Sequence, residues 1–222
     1  SAIALGLAAA SKWSTLWALP IFVLIHIVSK KKLNSSYLWF MFLPIGVYLF
    51  SYIPMFTTGH TWDNFVEVQK QMWWYHTRLR ATHPFTSPWW SWPILLRPIW
   101  LFTETKVSGL ISNIYAMGNP IVFWFGLASI ILGIRLAIIN KSRNLFVVIF
   151  SYLIFFVPWA LSPRIMFLYH YLPSIPFLAI ASGFIMKKFP RLILPVFLIA
   201  VLVFIYFYPR WSGIPIPASL DN

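Results

Sequence analysis

The chain has 222 residues, of which 60% are hydrophobic and 9% charged, whereas a soluble domain carries about 25% charged residues. Its 17 Lys and Arg outnumber 4 Asp and Glu, for a formal charge of +13, and it contains no Cys. This excludes an ordinary soluble core, disulfides and thiolate metal sites; the basic residues are spread over short loops rather than gathered on one nucleic-acid-binding face.

The apolar runs are continuous over roughly 16–20 residues and lack period-two alternation, so they predict membrane helices and not a barrel. Ser1–Ala10 is small and apolar, has no initiating Met or basic flank, and is too short to span alone. It reads as the end of a helix whose beginning is missing, which predicts a chain taken from a longer protein. Spans are then expected at Trp13–Val28, Tyr37–Ile53, Gly118–Ile139, Leu145–Leu161, Tyr171–Met186 and Leu192–Tyr208. The expected fold class is an all-α polytopic membrane protein with about six transmembrane helices plus a partial N-terminal one.

The basic loops alternate with these spans. Lys30, Lys31 and Lys32, then Arg135, Lys141 and Arg143, then Lys187, Lys188 and Arg191 fall on one side, which the excess of Lys and Arg assigns to the cytoplasm. Residues 55–117, Arg164 and the C-terminus then lie outside. The chain divides into 1–54, a partial helix and two spans; 55–117, an external amphipathic and Trp/Pro-rich segment; 118–208, a four-helix membrane region; and 209–222, an irregular external tail.

Within the external segment, residues 61–81 predict an amphipathic helix. Thr61 is its N-cap, Asp63 meets the helix dipole in the first turn, and Phe65, Val66, Met72 and Trp73 form the apolar face. Residues 83–100, HPFTSPWWSWPILLRPIW, hold four Trp and four Pro. The prolines cut the segment into turns, and Trp concentrates at headgroup level, so this stretch is expected along the external membrane surface.

Acid–base pairs are scarce. Asp63 and Glu67 share a helix face and His60 could join them in a metal site, although a solvated helix face explains the same spacing. Phosphate loops, HExxH and GxSxG are absent from the sequence. The external cations Arg164, Arg97 and Lys12 sit at span ends or in apolar settings. There they either snorkel as anchors or clamp phosphate by charge-assisted hydrogen bonds.

Taken in order, GLAAASKWSTLW, HPFTSPWWSWPILLRPIW, YAMGNPIVFW and SPRIMFLYHYLPSIPF resemble the C-terminal half of the protein O-mannosyltransferases, membrane enzymes of the GT-C fold that use polyprenyl- or dolichyl-phosphate mannose. The pattern is similar to bacterial members, without the soluble insertion of eukaryotic ones. The resemblance implies mannosyl transfer, with inversion, from a polyprenyl-phosphate mannose donor to Ser or Thr hydroxyls of secreted or membrane proteins in a bacterial plasma membrane. It places the catalytic acidic pair upstream, so the fragment alone is expected to be inactive, with no catalytic residue and no metal ligand of its own. Arg164, with Lys12 and Arg97, would bind the lipid phosphate, supported by His170 and Tyr171. His83, Trp89, Trp90 and Trp92 would shape the substrate groove. No cofactor is implied, and a divalent-metal requirement stays open. The partners expected are the lipid-linked donor, a protein acceptor and the bilayer, without nucleic acid. Alternatives are a GT-C enzyme acting on a lipid acceptor, or a non-catalytic membrane subunit or transporter.

Overall fold

The computed structural model describes residues 1–29, 36–105 and 109–220. They form two compact units: Ser1–Arg80 with Ser162–Arg164, and Ala81–Leu161 with Ile165–Asn222. This boundary cuts through the 55–117 segment, immediately after its amphipathic helix.

In the first unit, α1 (Ala2–Ser11) is followed by a 3-10 turn, Trp13–Ala18, that leads into α2 (Leu19–Ser29). Next come α3 (Ser36–Phe50), α4 (Ile53–Thr57) and α5 (Trp62–Arg78). Helices α1 and α3 pack closely at Gly6, where an added Cβ would fall 2.7 Å from the Val47 side chain and 2.9 Å from the Pro44 backbone. The amphipathic helix begins as predicted. Thr61 accepts a hydrogen bond from the Asn64 N–H at 3.4 Å, and its own N–H donates to Asn64 Oδ1 at 2.8 Å. This reciprocal cap satisfies two donors that the first turn leaves open. Phe65, Val66, Gln69, Met72 and His76 turn inward at helical spacing. Trp73, expected on that face, is 62% exposed, because its position points it away from this stripe.

In the second unit, α6 (Pro120–Ile139), α7 (Arg143–Phe156) and α8 (Ile175–Lys188) bury a shared core of Phe123, Ile130, Ile149, Tyr152, Leu178 and Ala181. Asn119 caps α6, accepting from the Ile121 and Val122 N–H groups at 3.0 and 3.4 Å, and Pro120 occupies the first turn, where no amide donor is needed. Short 3-10 segments extend α7 to Leu161 and begin the last-but-one span at Leu168. The final helix, α9 (Ile193–Ser212), has no buried residue although it is strongly apolar, as suits a helix whose solvent is lipid.

Among the described residues, five helices are long and apolar enough to cross a membrane: Tyr37–Thr57, Pro120–Ile139, Arg143–Leu161, Leu168–Lys188 and Pro190–Ser212. The sixth expected span is the shorter apolar stretch Trp13–Ser29. Lys141, Arg143, Lys187, Lys188 and Arg191 are exposed at the helix ends and Arg135 is exposed within α6, before its last turn, while Lys30–Lys32 lie outside the described residues.

A small sheet departs from the all-helical expectation. Strands β1 (Ile99–Thr105), β2 (Leu110–Ala116) and β3 (Ile216–Pro217) lie antiparallel in the order β1-β2-β3. Ile99 faces Ala116 and Thr105 faces Ile111, with a bulge between Trp100 and Phe102. The tail, expected to be irregular, supplies β3, so Ile216 pairs with Ile111. Gly213 turns the chain out of α9 with φ +72°, a left-handed conformation that costs glycine little.

Candidate functional site

In the first unit, two of the predicted cations converge on a histidine. Lys12 ends α1, its N–H donating to the Ala8 carbonyl at 2.8 Å. Arg164 is only 8% exposed, and its Nη1 donates to His76 Nδ1 at 2.7 Å. The guanidinium also lies over the Tyr75 ring, 4.7 Å from its centroid, where the negative ring face favours a cation. The neutral imidazole is the form that can accept from Arg164. His76 is held below its ordinary value of 6.5, first by burial and then by the charges of Arg164 and Lys12. Lys12 is likewise lowered, by burial and then by Arg164.

The electrostatic meaning follows from the signs. Three basic groups share a partly desolvated corner, where the charge of Arg164 disfavours that of Lys12 and both disfavour a charged His76. An anion placed among them would relieve this repulsion. A phosphate suits the set well, because a guanidinium presents a fork of donors to two oxygens at once and a lysine adds a point charge.

The corner is braced from below. Trp13, one residue after Lys12, has its ring 6.2 Å from that of His76. Its indole N–H donates to the Tyr48 hydroxyl at 3.0 Å, and that hydroxyl donates to Gln69 Oε1 at 2.5 Å. Thus α3 and α5 are tied together beneath the basic cluster.

The other predicted residues belong to the second unit. Arg97 is exposed and donates to the Thr86 carbonyl at 3.3 Å. His83 is exposed, accepts the Phe85 N–H at 3.2 Å and meets the Phe167 ring edge-on. Trp89 packs edge-on against Phe156, and Trp90 is 54% exposed. Trp92, His170 and Tyr171 are buried in one aromatic cluster with Trp159. The Trp92 indole donates to Ser87 Oγ at 3.0 Å, the Tyr171 and Tyr152 hydroxyls are 2.9 Å apart, and His170 Nδ1 accepts the Phe167 N–H at 3.1 Å. The Trp/Pro stretch is pinned where the Ser87 N–H and the Thr86 hydroxyl both donate to the Met166 carbonyl, at 3.0 and 3.1 Å.

His76 and Tyr75 were not singled out from the sequence. The signal for His76 was its place on the inward stripe of α5, but only the fold brings Arg164 to it across 88 positions. The acidic candidates point elsewhere: Glu67 accepts from Gln71 Nε2 at 2.9 Å and lies 4.0 Å from Lys70 Nζ. Among the described residues, no group of three His, Cys, Asp or Glu is placed to hold a metal ion.

Residues 61–220 match the family model for the C-terminal four TMM region of protein-O-mannosyltransferase. The chain is 24% identical over 286 residues to the polyprenol-phosphate-mannose–protein mannosyltransferase of Mycolicibacterium smegmatis, covering 99% of this chain and 55% of the relative. It is 34% identical over 139 residues to dolichyl-phosphate-mannose–protein mannosyltransferase 1 of Saccharomyces cerevisiae, covering 54% of this chain and 16% of the relative. Among solved structures, it is similar to the S. cerevisiae protein O-mannosyltransferase Pmt1-Pmt2 complex bound to the sugar donor. The TM-score is 0.59 at 23% identity, over 72% of this chain and 26% of that chain, a likeness of fold. The chain therefore spans about half the length of the mycobacterial relative, 55%, and much less of the yeast one.

Proposed function

The chain belongs to the protein O-mannosyltransferases as their C-terminal membrane region, and from that membership we propose that it is the lipid-phosphate-binding part of an enzyme that moves mannose from a polyprenyl-phosphate donor to Ser or Thr hydroxyls of secreted or membrane proteins. The active side is the external face of a bacterial plasma membrane, where residues 55–117 and the C-terminus lie. The observation that carries this reading is the basic corner of Lys12, His76 and Arg164, built where a lipid phosphate is the natural anion.

In the reaction, a carboxylate outside this chain takes the proton of the acceptor hydroxyl, whose oxygen attacks the anomeric carbon. The bond from that carbon to the phosphate oxygen breaks, and its electron pair leaves with the lipid phosphate. The leaving group goes from one negative charge to two, and Arg164 and Lys12 stabilise the added charge more strongly than the original one. Interactions that strengthen as charge develops are those that lower the barrier. His83, Trp89 and Trp90 offer an aromatic surface for sugar or acceptor. Trp92, His170 and Tyr171 support that surface from inside the second unit. Arg97 holds the loop back to Thr86.

The reading is tested with membranes containing the full-length protein, polyprenyl-phosphate mannose and a Ser/Thr-rich peptide. Mannosylated peptide is the expected product. Transfer to a lipid acceptor in place of the peptide, or no transfer at all, would overturn it.

The same corner gives a pH dependence. Bound phosphate offsets the repulsion that lowers His76, so in the bound state the imidazole takes up a proton and turns from accepting from Arg164 to donating to the phosphate. Affinity then rises as pH falls through the bound-state pKa of His76 and levels off below the free-state one. The donor's phosphodiester keeps a single charge over this range, so the titration reports on the protein. Donor binding is expected to be tighter at pH 6 than at pH 8. His76→Asn, which keeps an acceptor for Arg164 but cannot titrate, should flatten the profile; equilibrium binding at the two pH values checks it.

A further inference from the structure

Within the first unit, one hydroxyl ties the turn after α1 to α3 and α5, and chemistry fixes the direction of each of its hydrogen bonds. An indole N–H only donates, so the Tyr48 oxygen accepts from Trp13, at 3.0 Å. The single Tyr48 proton goes to Gln69 Oε1 at 2.5 Å. The Gln69 amide group in turn donates to the Phe65 carbonyl at 3.3 Å. The Tyr52 hydroxyl lies 3.1 Å from that of Tyr48 and is left the donor's part. Tyr48 therefore accepts from Trp13 and Tyr52 and donates to Gln69, which saturates its hydroxyl.

Both ends of this chain of donors lie next to the basic corner. Gln69 precedes His76 by about two turns on the inward stripe of α5. Trp13 follows Lys12, and its ring is 6.2 Å from that of His76, tilted by 32°. The Lys12 backbone is held separately, its carbonyl accepting from the Thr15 N–H at 3.1 Å and the Thr15 hydroxyl at 2.7 Å. What the Tyr48 hydroxyl adds is the placement of the indole beside the imidazole.

We propose that Tyr48 is a positioning residue for the lipid phosphate: it holds the Trp13 indole against His76 as a wall that keeps water out of the basic corner. The inference rests on the lipid-phosphate reading of that corner. Tyr48 acts through Trp13 and needs no contact with the phosphate. The charged or titratable groups around His76 are Lys12 at the end of α1, Arg164, and Tyr75 on α5. Burial is the first cause that lowers His76, ahead of the charges of Arg164 and Lys12. An indole that swings away admits water, which relieves that first cause and weakens the pull of the cations on an anion.

The test uses the full-length protein in phosphatidylcholine nanodiscs. The His76 titration is followed by NMR of labelled histidine, its signal identified by loss in His76→Asn, and binding of polyprenyl-phosphate mannose is measured alongside. Tyr48→Phe keeps the ring and removes the hydroxyl. It should move the His76 midpoint up towards 6.5, weaken donor binding, and make affinity level off at a higher pH than in wild type. Trp13→Phe, which leaves α3 intact, should act in the same direction and decides the matter if Tyr48→Phe fails to fold. Tyr52→Phe removes only a side branch of the network and should leave the midpoint and the binding as in wild type. A wild-type midpoint in folded Tyr48→Phe or Trp13→Phe, or an equal shift in Tyr52→Phe, would overturn the proposal and leave the hydroxyl a structural tie. The midpoint is read without ligand, so the two readings fail separately. A shifted midpoint in a protein whose wild type binds no donor removes the lipid-phosphate reading; donor binding with an unmoved midpoint removes the role of Tyr48 alone.

Discussion

Arg164→Ala is expected to lower mannose transfer roughly 100- to 1,000-fold in membranes that carry equal amounts of protein. That is the usual consequence of removing one fixed donor from a developing oxyanion in a water-poor site. The prediction is sharper than a loss of charge at a surface would allow, because Arg164 is 8% exposed and its guanidinium is oriented by His76 at 2.7 Å and by the Tyr75 ring. Arg164→Lys keeps the charge without the fork, and should recover only part of the rate. Lys12→Ala should cost less than Arg164→Ala. The double variant should lose less than the product of the two, since both cations act on one phosphate and are not independent. Initial rates at saturating donor, normalised to protein, give the result. A variant that keeps more than half of the wild-type rate would make Arg164 an interfacial anchor.

The parts of this structure that depend on local composition were legible. The spans after residue 117 follow from unbroken apolar runs, and they begin where Asn119 and Ser142 can cap a helix. The start of α5 at Thr61 was legible for the same reason, since a cap is a contact over three residues. The sheet was not, because its strands are short and partner at long range. Two-residue β3 pairs with β2 from more than 100 positions away, and no alternation announces so brief a strand. Nor does the sequence tell which Trp is a core residue. Trp89, Trp90 and Trp92 lie within four positions, yet only Trp92 is buried to 1% and hydrogen-bonded through its indole. The basic corner was half legible. Arg164 and Lys12 stood out as cations in apolar settings, whereas His76 became a partner only through the fold.

That division among the tryptophans yields the largest expected effect on stability. Trp92→Ala removes a side chain packed against Trp159, His170 and Tyr171, and leaves Ser87 Oγ without its donor. Truncating a buried Trp costs about 3–5 kcal/mol. For a chain of this size that is roughly a 6–20 °C fall in Tm, measurable by thermal unfolding in detergent. Trp92→Phe keeps a ring but loses the indole N–H, and should fall between wild type and Trp92→Ala. Trp90 is 54% exposed, so Trp90→Ala should change stability by less than about 0.5 kcal/mol and act, if at all, on transfer. The two substitutions therefore separate support from contact. Trp92→Ala with an unchanged Tm and impaired transfer would return Trp92 to the substrate groove, because a residue that can be truncated without structural cost must act through what it touches. Loss of Tm in Trp92→Ala alone, with transfer falling in proportion to folded protein, would identify the indole as the post on which the exposed aromatic surface stands.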